Sequence, residues 1–139
     1  MLIIEVNYEI FLYSEPICVV FSLDYDNVGC YKDTSNRAIQ TLERTDVILD
    51  GRYTSRKNAI AKCAVAAARA GYSMFAVQNG GWCAASATAH STFAKYGQST
   101  SCKADGEGGG WANQVYRIKG TQWRSQDFSG GETIVTTQL

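Results

Sequence analysis

Apolar positions follow a helical period in one central segment of the chain. They recur at the spacing of a single helical face: Ile60, Cys63, Ala64 and Ala67. Thr54 or Ser55 could cap this helix, and Gly71 suits the left-handed position just past its end. The pattern therefore predicts a helix over 56–70, whose narrow, alanine-rich face can lie close to a sheet.

Short apolar runs bounded by turn residues predict strands around this helix. They cover 28–31, 73–78, a return strand that begins at Trp82, and 115–118. Asn79, Gly80 and Gly81 predict a tight turn between two of them, because both glycines accept a positive φ. A second, shorter helix is expected over 86–96. One main helix packed on a short antiparallel sheet is an α+β fold.

The two ends of the chain lack such patterns. Residues 1–22 contain Glu5, Glu9 and Glu15 but no Lys or Arg, which is not the pattern of a signal peptide. Residues 121–139 are mostly polar and carry no period. We therefore expect a module over 24–120, an N-terminal extension over 1–23 and a polar C-terminal tail over 121–139.

Charge and hydropathy exclude two classes of partner. Thirteen basic residues balance thirteen acidic ones among 139, so no basic surface favours nucleic acid. No apolar run reaches the roughly 20 residues of a membrane-spanning helix, so we expect no membrane insertion.

Cysteine usage points to disulfides and an oxidising compartment. The chain has Cys18, Cys30, Cys63, Cys83 and Cys102, with no CxxC pair and a single histidine, which disfavours zinc. Four cysteines allow three connectivities. Because Cys63 faces inward from the helix toward the strand of Cys83, we predict Cys63–Cys83 and Cys30–Cys102, with Cys18 unpaired. An extracellular location follows, and the alternative is a cytosolic protein with reduced thiols.

Candidates for catalysis have weak support in the sequence. Gln78 and Cys83 superficially match a papain-like nucleophile segment, but His90 lies only seven positions beyond the cysteine and no basic cluster would lower its pKa. Cys83 is therefore interpreted as a half-cystine. We predict that the chain is not an enzyme.

The glycine-rich segment 103–110 is the other candidate for a chemical site. It lacks the Gly-Lys-Ser/Thr of a phosphate-binding loop, and Asp105 and Glu107 do not follow the EF-hand pattern. A flexible surface loop is expected, with one weakly bound calcium ion as the alternative. We predict no cofactor and no metal.

Several motifs along the chain resemble a known extracellular module. They are Gly29-Cys30-Tyr31-Lys32-Asp33, Asn36-Arg37-Ala38-Ile39, Cys63, Gly71-Tyr72-Ser73-Met74-Phe75-Ala76-Val77-Gln78, Gly81-Trp82-Cys83 and Gly110-Trp111-Ala112-Asn113-Gln114-Val115-Tyr116. This order is similar to that of WSC-type modules, in a divergent form with four of the usual eight cysteines, as in multidomain extracellular animal proteins. The resemblance implies carbohydrate binding.

Aromatic residues beside glycines and amides supply candidate ligand contacts. Trp82 and Trp111 each follow glycines that can leave an indole face open to a sugar, and Asn79, Asn113 and Gln114 could bond its hydroxyls. The alternative is that both indoles belong to the core. Our hypothesis is a non-catalytic extracellular module that recognises a glycan or glycoprotein. The alternative is a structural or adhesive module that binds protein. The pattern does not decide the oligomeric state.

Overall fold

The computed structural model describes the backbone of residues 2–5, 9–14, 17–127 and 132–138, and the side chains of residues 22–120. Contacts divide the chain into two compact units. One unit comprises Met1–Tyr25 with Lys119–Leu139, and the other comprises Asp26–Ile118. The helices lie in the second unit, and none in the described part of the chain is long and apolar enough to cross a bilayer.

Regular structure in the described residues consists of strands and short helices. The strands are β1 (Leu2–Glu5), β2 (Glu9–Ser14), β3 (Ile17–Lys32), β4 (Met74–Gln78), β5 (Trp82–Ala85), β6 (Ala112–Asp127) and β7 (Glu132–Gln138). The helices are α1 (Ala59–Arg69) and α2 (Ala89–Thr92), with single 3-10 turns at Val47–Leu49 and Tyr53–Ser55. In the first unit β2 pairs antiparallel with β1 and β3, and β7 pairs antiparallel with β6. The sequence pattern did not predict the strands at either end.

The second unit is a small α+β fold with one main helix, as predicted. Its antiparallel sheet has the order β3-β6-β4-β5. Both edges of this sheet are covered by short segments. Lys32 N donates to Gly97 O on the β3 side, and Leu42 N donates to Cys83 O on the β5 side, each over 2.9 Å. Backbone groups that would otherwise stay unpaired at the edges are thereby satisfied.

Both faces of the central strand β4 are covered, so all five of its residues are buried. Side chains alternate along a strand, which separates Phe75 and Val77 from Met74 and Ala76. Helix α1 covers the first pair. The second pair packs in a cluster of buried residues with Ala38, Ile39, Ala84, Ala89 and Val115. The fold therefore has a core on each side of a short sheet.

Helix α1 begins three residues later than the sequence pattern predicts. Residues 53–55 form a separate 3-10 turn, so neither Thr54 nor Ser55 caps α1. Asn58 precedes the helix with a left-handed backbone, at φ 54°. The end of the helix is as expected, because Gly71 is left-handed at φ 81° and its N–H donates to Ala68 O. The predicted helix over 86–96 is reduced to α2.

Two disulfides confirm the predicted pairing, Cys63–Cys83 and Cys30–Cys102. The first joins α1 to β5, across 20 positions of sequence. Closing such a loop stabilises the fold by about 3 kcal/mol. The Cys18 side chain lies outside the described residues.

Candidate ligand-binding site

Three polar or amphipathic side chains form a row across the sheet where the apolar core ends. Gln78, the last residue of β4, lies opposite Trp82 on β5 and opposite Asn113 on β6. Paired residues project to the same face of a sheet, so the three side chains are neighbours. The Gln78 Nε2 donates to Asn113 Oδ1 over 2.8 Å. The row lies on the face opposite α1, because residue 78 follows Met74 and Ala76 in the alternation.

A buried carboxylate holds this row in place. The Asp33 side chain is fully buried, and its Oδ2 accepts from Gln78 Nε2 and from Arg37 Nη1, each over 2.8 Å. Its Oδ1 accepts from Ala38 N over 2.9 Å. Burial alone raises the pKa of Asp33, but these hydrogen bonds outweigh it and hold the pKa below the usual value. Asp33 is therefore an anion at neutral pH, and it orients the Arg37 guanidinium.

The Arg37 guanidinium lies against two indole rings. Its Cζ is 4.2 Å from the ring centroid of Trp82 and 4.8 Å from that of Trp111. Both distances are within the range of cation–π attraction. The Arg37 side chain keeps 30% of its surface exposed, so it is accessible beside both rings.

Trp111 occupies a backbone conformation that bulky residues rarely adopt. Gly109 and Ala112 exchange two backbone hydrogen bonds, 3.0 and 3.2 Å long, which close a tight turn over Gly110 and Trp111. Trp111 is third in that turn, at φ 52°, where glycine is usual. The residue as a whole is 55% exposed. Left-handed backbone costs a non-glycine residue about 1–2 kcal/mol and is concentrated at functional sites.

A small cleft of about 230 Å³ lies between these side chains. We call it the small cleft; its lining includes Arg37, Tyr53, Gln78, Asn79, Trp82 and Trp111. Three of the five residues predicted to bind ligand, Asn79, Trp82 and Trp111, thus line one surface feature. The other two do not line it. Asn113 is fully buried, and Gln114 is buried and donates to Asn27 Oδ1 over 2.7 Å.

A second, larger cleft of about 540 Å³ shares Tyr53 and Trp82 with the small cleft. We call it the large cleft; its lining also includes Thr41, Glu43, Arg44, Asp50 and Arg52. Arg44 resembles Trp111 in its backbone. It is third in the turn that Thr45 N closes by donating to Leu42 O over 3.0 Å, and its φ is 68°.

A buried ion pair fixes the wall of the large cleft. Arg56 donates through Nη1 and Nη2 to the two carboxylate oxygens of Glu43, over 2.7 and 2.9 Å. Arg56 also donates to Gly81 O over 2.6 Å and to Leu49 O, while Glu43 accepts from Cys83 N over 2.8 Å. The pair thereby ties the 43–56 segment to the start of β5 and holds Tyr53 near Trp82.

The glycine-rich segment 103–110 is partly an internal support, which corrects the expectation of a flexible surface loop. Gly108 and Gly109 are buried, and a side chain on Gly109 would come 1.9 Å from Ser101 O. Asn79 N donates to Gly109 O over 3.2 Å, so this segment is bonded to the β4–β5 turn. The support holds the Trp111 turn beside Asn79.

Chemistry at the other candidate residues is limited by their bonding. Cys83 is in a disulfide, so it has no thiolate to act as a nucleophile. Within the described residues no group of three or more His, Cys, Asp or Glu side chains could hold a metal ion. In the glycine-rich segment, burial and then the charge of Asp105 raise the pKa of Glu107.

Sequence reasoning missed the charged members of the site. Arg37 contacts residues 41 to 74 positions away in the chain, and Asp33 contacts Gln78, 45 positions away. The only local signal is the spacing of Asp33 and Arg37, four residues apart.

Comparison with family models, curated proteins and solved structures finds no match to the chain.

Proposed function

We propose that this chain is a non-catalytic extracellular module that recognises carbohydrate, free or on a glycoprotein, at the small cleft. The observation that carries the proposal is the position of Trp111, a large exposed indole held by a strained turn beside Trp82 and a polar cleft. Residues held in unfavourable backbone conformations are concentrated at ligand-binding and catalytic sites.

The lining of the small cleft offers the two kinds of contact that a sugar needs. Indole surface can pack against the apolar C–H face of a pyranose ring, while amides and charged N–H groups bond its hydroxyls. Asn79 is exposed at the rim, and Arg37 is partly exposed between the rings. The volume of about 230 Å³ is below the range of roughly 300–1,000 Å³ for drug-sized ligands. It suits a small ring better than an extended peptide.

The exposed apolar surface favours a sugar over a protein partner. Among residues 22–120 the exposed large hydrophobic residues are Val47 and Trp111. A stable protein interface buries about 800 Å² on each partner and has an apolar, aromatic centre. One exposed indole above a small cleft fits a local, polar ligand better than such a surface.

An extracellular setting is supported by the two disulfides, which persist in oxidising compartments. The resemblance to WSC-type modules supports both the location and the ligand class. The positions that carry this resemblance include Trp82 and Trp111, the two indoles of the small cleft.

A glycan array probed with the full chain tests the proposal. We expect selective binding to a subset of glycans, reduced by about tenfold or more in Trp111→Ala. Val47→Ala is the matched control, since it removes the other exposed large hydrophobic side chain among residues 22–120, and it should bind like the unmodified chain. Absence of any glycan binding, together with binding to a deglycosylated protein, would contradict the proposal and favour the adhesive alternative.

A further inference from the structure

We infer that the glycan is anionic, and that its carboxylate or sulfate group binds Arg37 in the small cleft while the saccharide extends into the large cleft past Arg44 and Arg52. This inference rests on the proposed function and specifies its ligand. It comes from the charges that line the two clefts and from the side chains that the clefts share.

Arg37, which lines the small cleft, keeps unused hydrogen-bonding capacity. Within residues 22–120 its Nη1 is bonded, to Asp33 and to Gln78, whereas its Nε and Nη2 have no hydrogen-bond partner. A guanidinium bonds a carboxylate or a sulfate through two parallel N–H groups, which is the geometry that the other edge of Arg37 still offers. The described lining of the small cleft contains this cation and no carboxylate.

The buried Asp33 orients Arg37 but does not occupy this other edge. Asp33 is below the cleft surface with no exposed side-chain area, and it takes one of the two Nη atoms. The guanidinium Cζ lies 4.2 and 4.8 Å from the two indole centroids and the side chain is 30% exposed, so it is partly shielded from water. Charge-assisted hydrogen bonds are stronger than neutral ones, and partial shielding strengthens them further. An anionic group is therefore better matched to this position than a neutral hydroxyl.

Within its described lining, the large cleft carries an excess of positive charge. Arg44 and Arg52 are both exposed along its lining, which also contains the carboxylates of Glu43 and Asp50. Glu43 is neutralised by the buried Arg56. Asp50 alone is left to oppose the two exposed arginines within the described lining.

Trp82 and Tyr53 line both clefts, so a single ligand of two or more sugar residues could contact both. The distribution of backbone strain supports this extent. Four non-glycine residues in the described part have a positive φ, and asparagine tolerates that conformation. The two that are not asparagine, Arg44 and Trp111, line the large and the small cleft respectively. Strained residues are concentrated at ligand-binding sites, which supports a binding surface that includes both clefts.

A matched pair of ligands tests the charge requirement on the unmodified full chain. The probes are a tetrasaccharide of alternating glucuronic acid and N-acetylglucosamine, and the same tetrasaccharide with its carboxylates reduced to alcohols. A third probe is the reduced tetrasaccharide carrying sulfate esters. We expect an anionic form to bind about tenfold or more tightly than the neutral form in calorimetry at low salt. The preference should shrink as ionic strength rises from about 0.01 M to about 1 M.

Variants assign the contacts to residues. Arg37→Gln should remove the preference for the anionic probe, whereas Arg37→Lys should retain part of it, since lysine keeps the charge but not the paired N–H groups. Arg44→Gln with Arg52→Gln should weaken binding of the anionic tetrasaccharide several-fold. The same double variant should bind a fourth probe, the disaccharide of one glucuronic acid and one N-acetylglucosamine, nearly as well as the unmodified chain does. Arg69→Gln is the control, because it removes an arginine that pairs with Asp46 and lines neither cleft.

The outcomes separate the inference from the proposed function. Equal affinity for the anionic and neutral probes would overturn the inference and leave carbohydrate binding intact. Binding of the carboxylate form alone, or of the sulfate form alone, supports the inference and identifies the anion. Binding of no saccharide, on the array or by calorimetry, overturns both. Should Arg37→Gln fail to fold, the probe pair on the unmodified chain still decides.

Discussion

The guanidinium of Arg37 packs on the indole of Trp82, with 4.2 Å between Cζ and the ring centroid. Trp82 also packs against the apolar cluster beneath α2, so one side of the ring is fixed by the core. Trp111, whose ring centroid is 4.8 Å from the Arg37 Cζ, is more than half exposed. The two indoles of the small cleft therefore differ in what they contribute to the fold, and substitution can separate them.

We expect Trp111→Gly to weaken ligand binding without destabilising the protein. The left-handed backbone at position 111 costs a tryptophan about 1 kcal/mol, and glycine adopts it without that cost. This gain in stability offsets the lost contact between the indole and Arg37. Trp82→Ala should instead cost about 2 kcal/mol, because it removes a ring packed on the core. Urea midpoints and glycan affinities of both variants measure this. Unfolding of Trp111→Gly would make that indole a core residue and leave the aromatic site without support.

Glu43→Gln should destabilise the protein by about 3 kcal/mol, because it leaves the buried Arg56 guanidinium without its counter-charge. Arg69→Gln breaks an ion pair whose arginine side chain is 44% exposed, and should change stability by less than about 1 kcal/mol. Chemical denaturation of the two variants in parallel gives the comparison. Similar losses in both would mean that the Glu43–Arg56 pair does not hold the 43–56 segment.

Sequence patterns predicted the parts of the fold that depend on local signals. The apolar period found α1, Gly71 marked its end, and the Asn79-Gly80 turn between β4 and β5 is present, with Asn79 at φ 50° and Gly80 at φ 88°. The inward position of Cys63 was enough to select the observed disulfides. These features need only the spacing of nearby residues and the conformational preference of glycine.

The remainder depends on contacts between distant segments. The start of α1 was wrong because residues 53–55 turn separately, and Arg56, which follows them, is bonded to Glu43 and Leu49 rather than continuing into a helix. In the candidate site, Asn113 was predicted to be an exposed amide, because only the register of β4 and β6 shows that it lies opposite Gln78. No local pattern indicates that Arg37 lies against two indoles that are 45 and 74 positions further along the chain.

Asp33 should make stability depend on pH in the acid range. The pKa of Asp33 in the folded protein is below its value of about 3.8 in the unfolded chain. Its contribution to the free energy of unfolding is therefore complete above about pH 3.8 and is lost as pH falls through the pKa of the folded state. Asp33→Asn should lower the free energy of unfolding by about 3 kcal/mol at neutral pH. The difference in stability between the variant and the unmodified chain should narrow as pH falls below about 4. Urea midpoints from about pH 7 to about pH 2 test this. A gap independent of pH would mean that the charge of Asp33 does not hold the row.

Trimming both ends tests the boundaries of the module. The extensions over 1–23 and 121–139 are predicted to be dispensable, since both disulfides and the buried clusters on each side of β4 lie within 24–120. A chain limited to 24–120 should unfold with the same cooperativity as the full chain, at a free energy within about 1 kcal/mol. Deleting each end separately and measuring urea unfolding shows which end matters if either does. A larger loss of stability would mean that the removed strands stabilise residues 24–120. Non-reducing mass spectrometry gives a second test, because a disulfide between Cys18 and a cysteine of this segment would also contradict the boundaries.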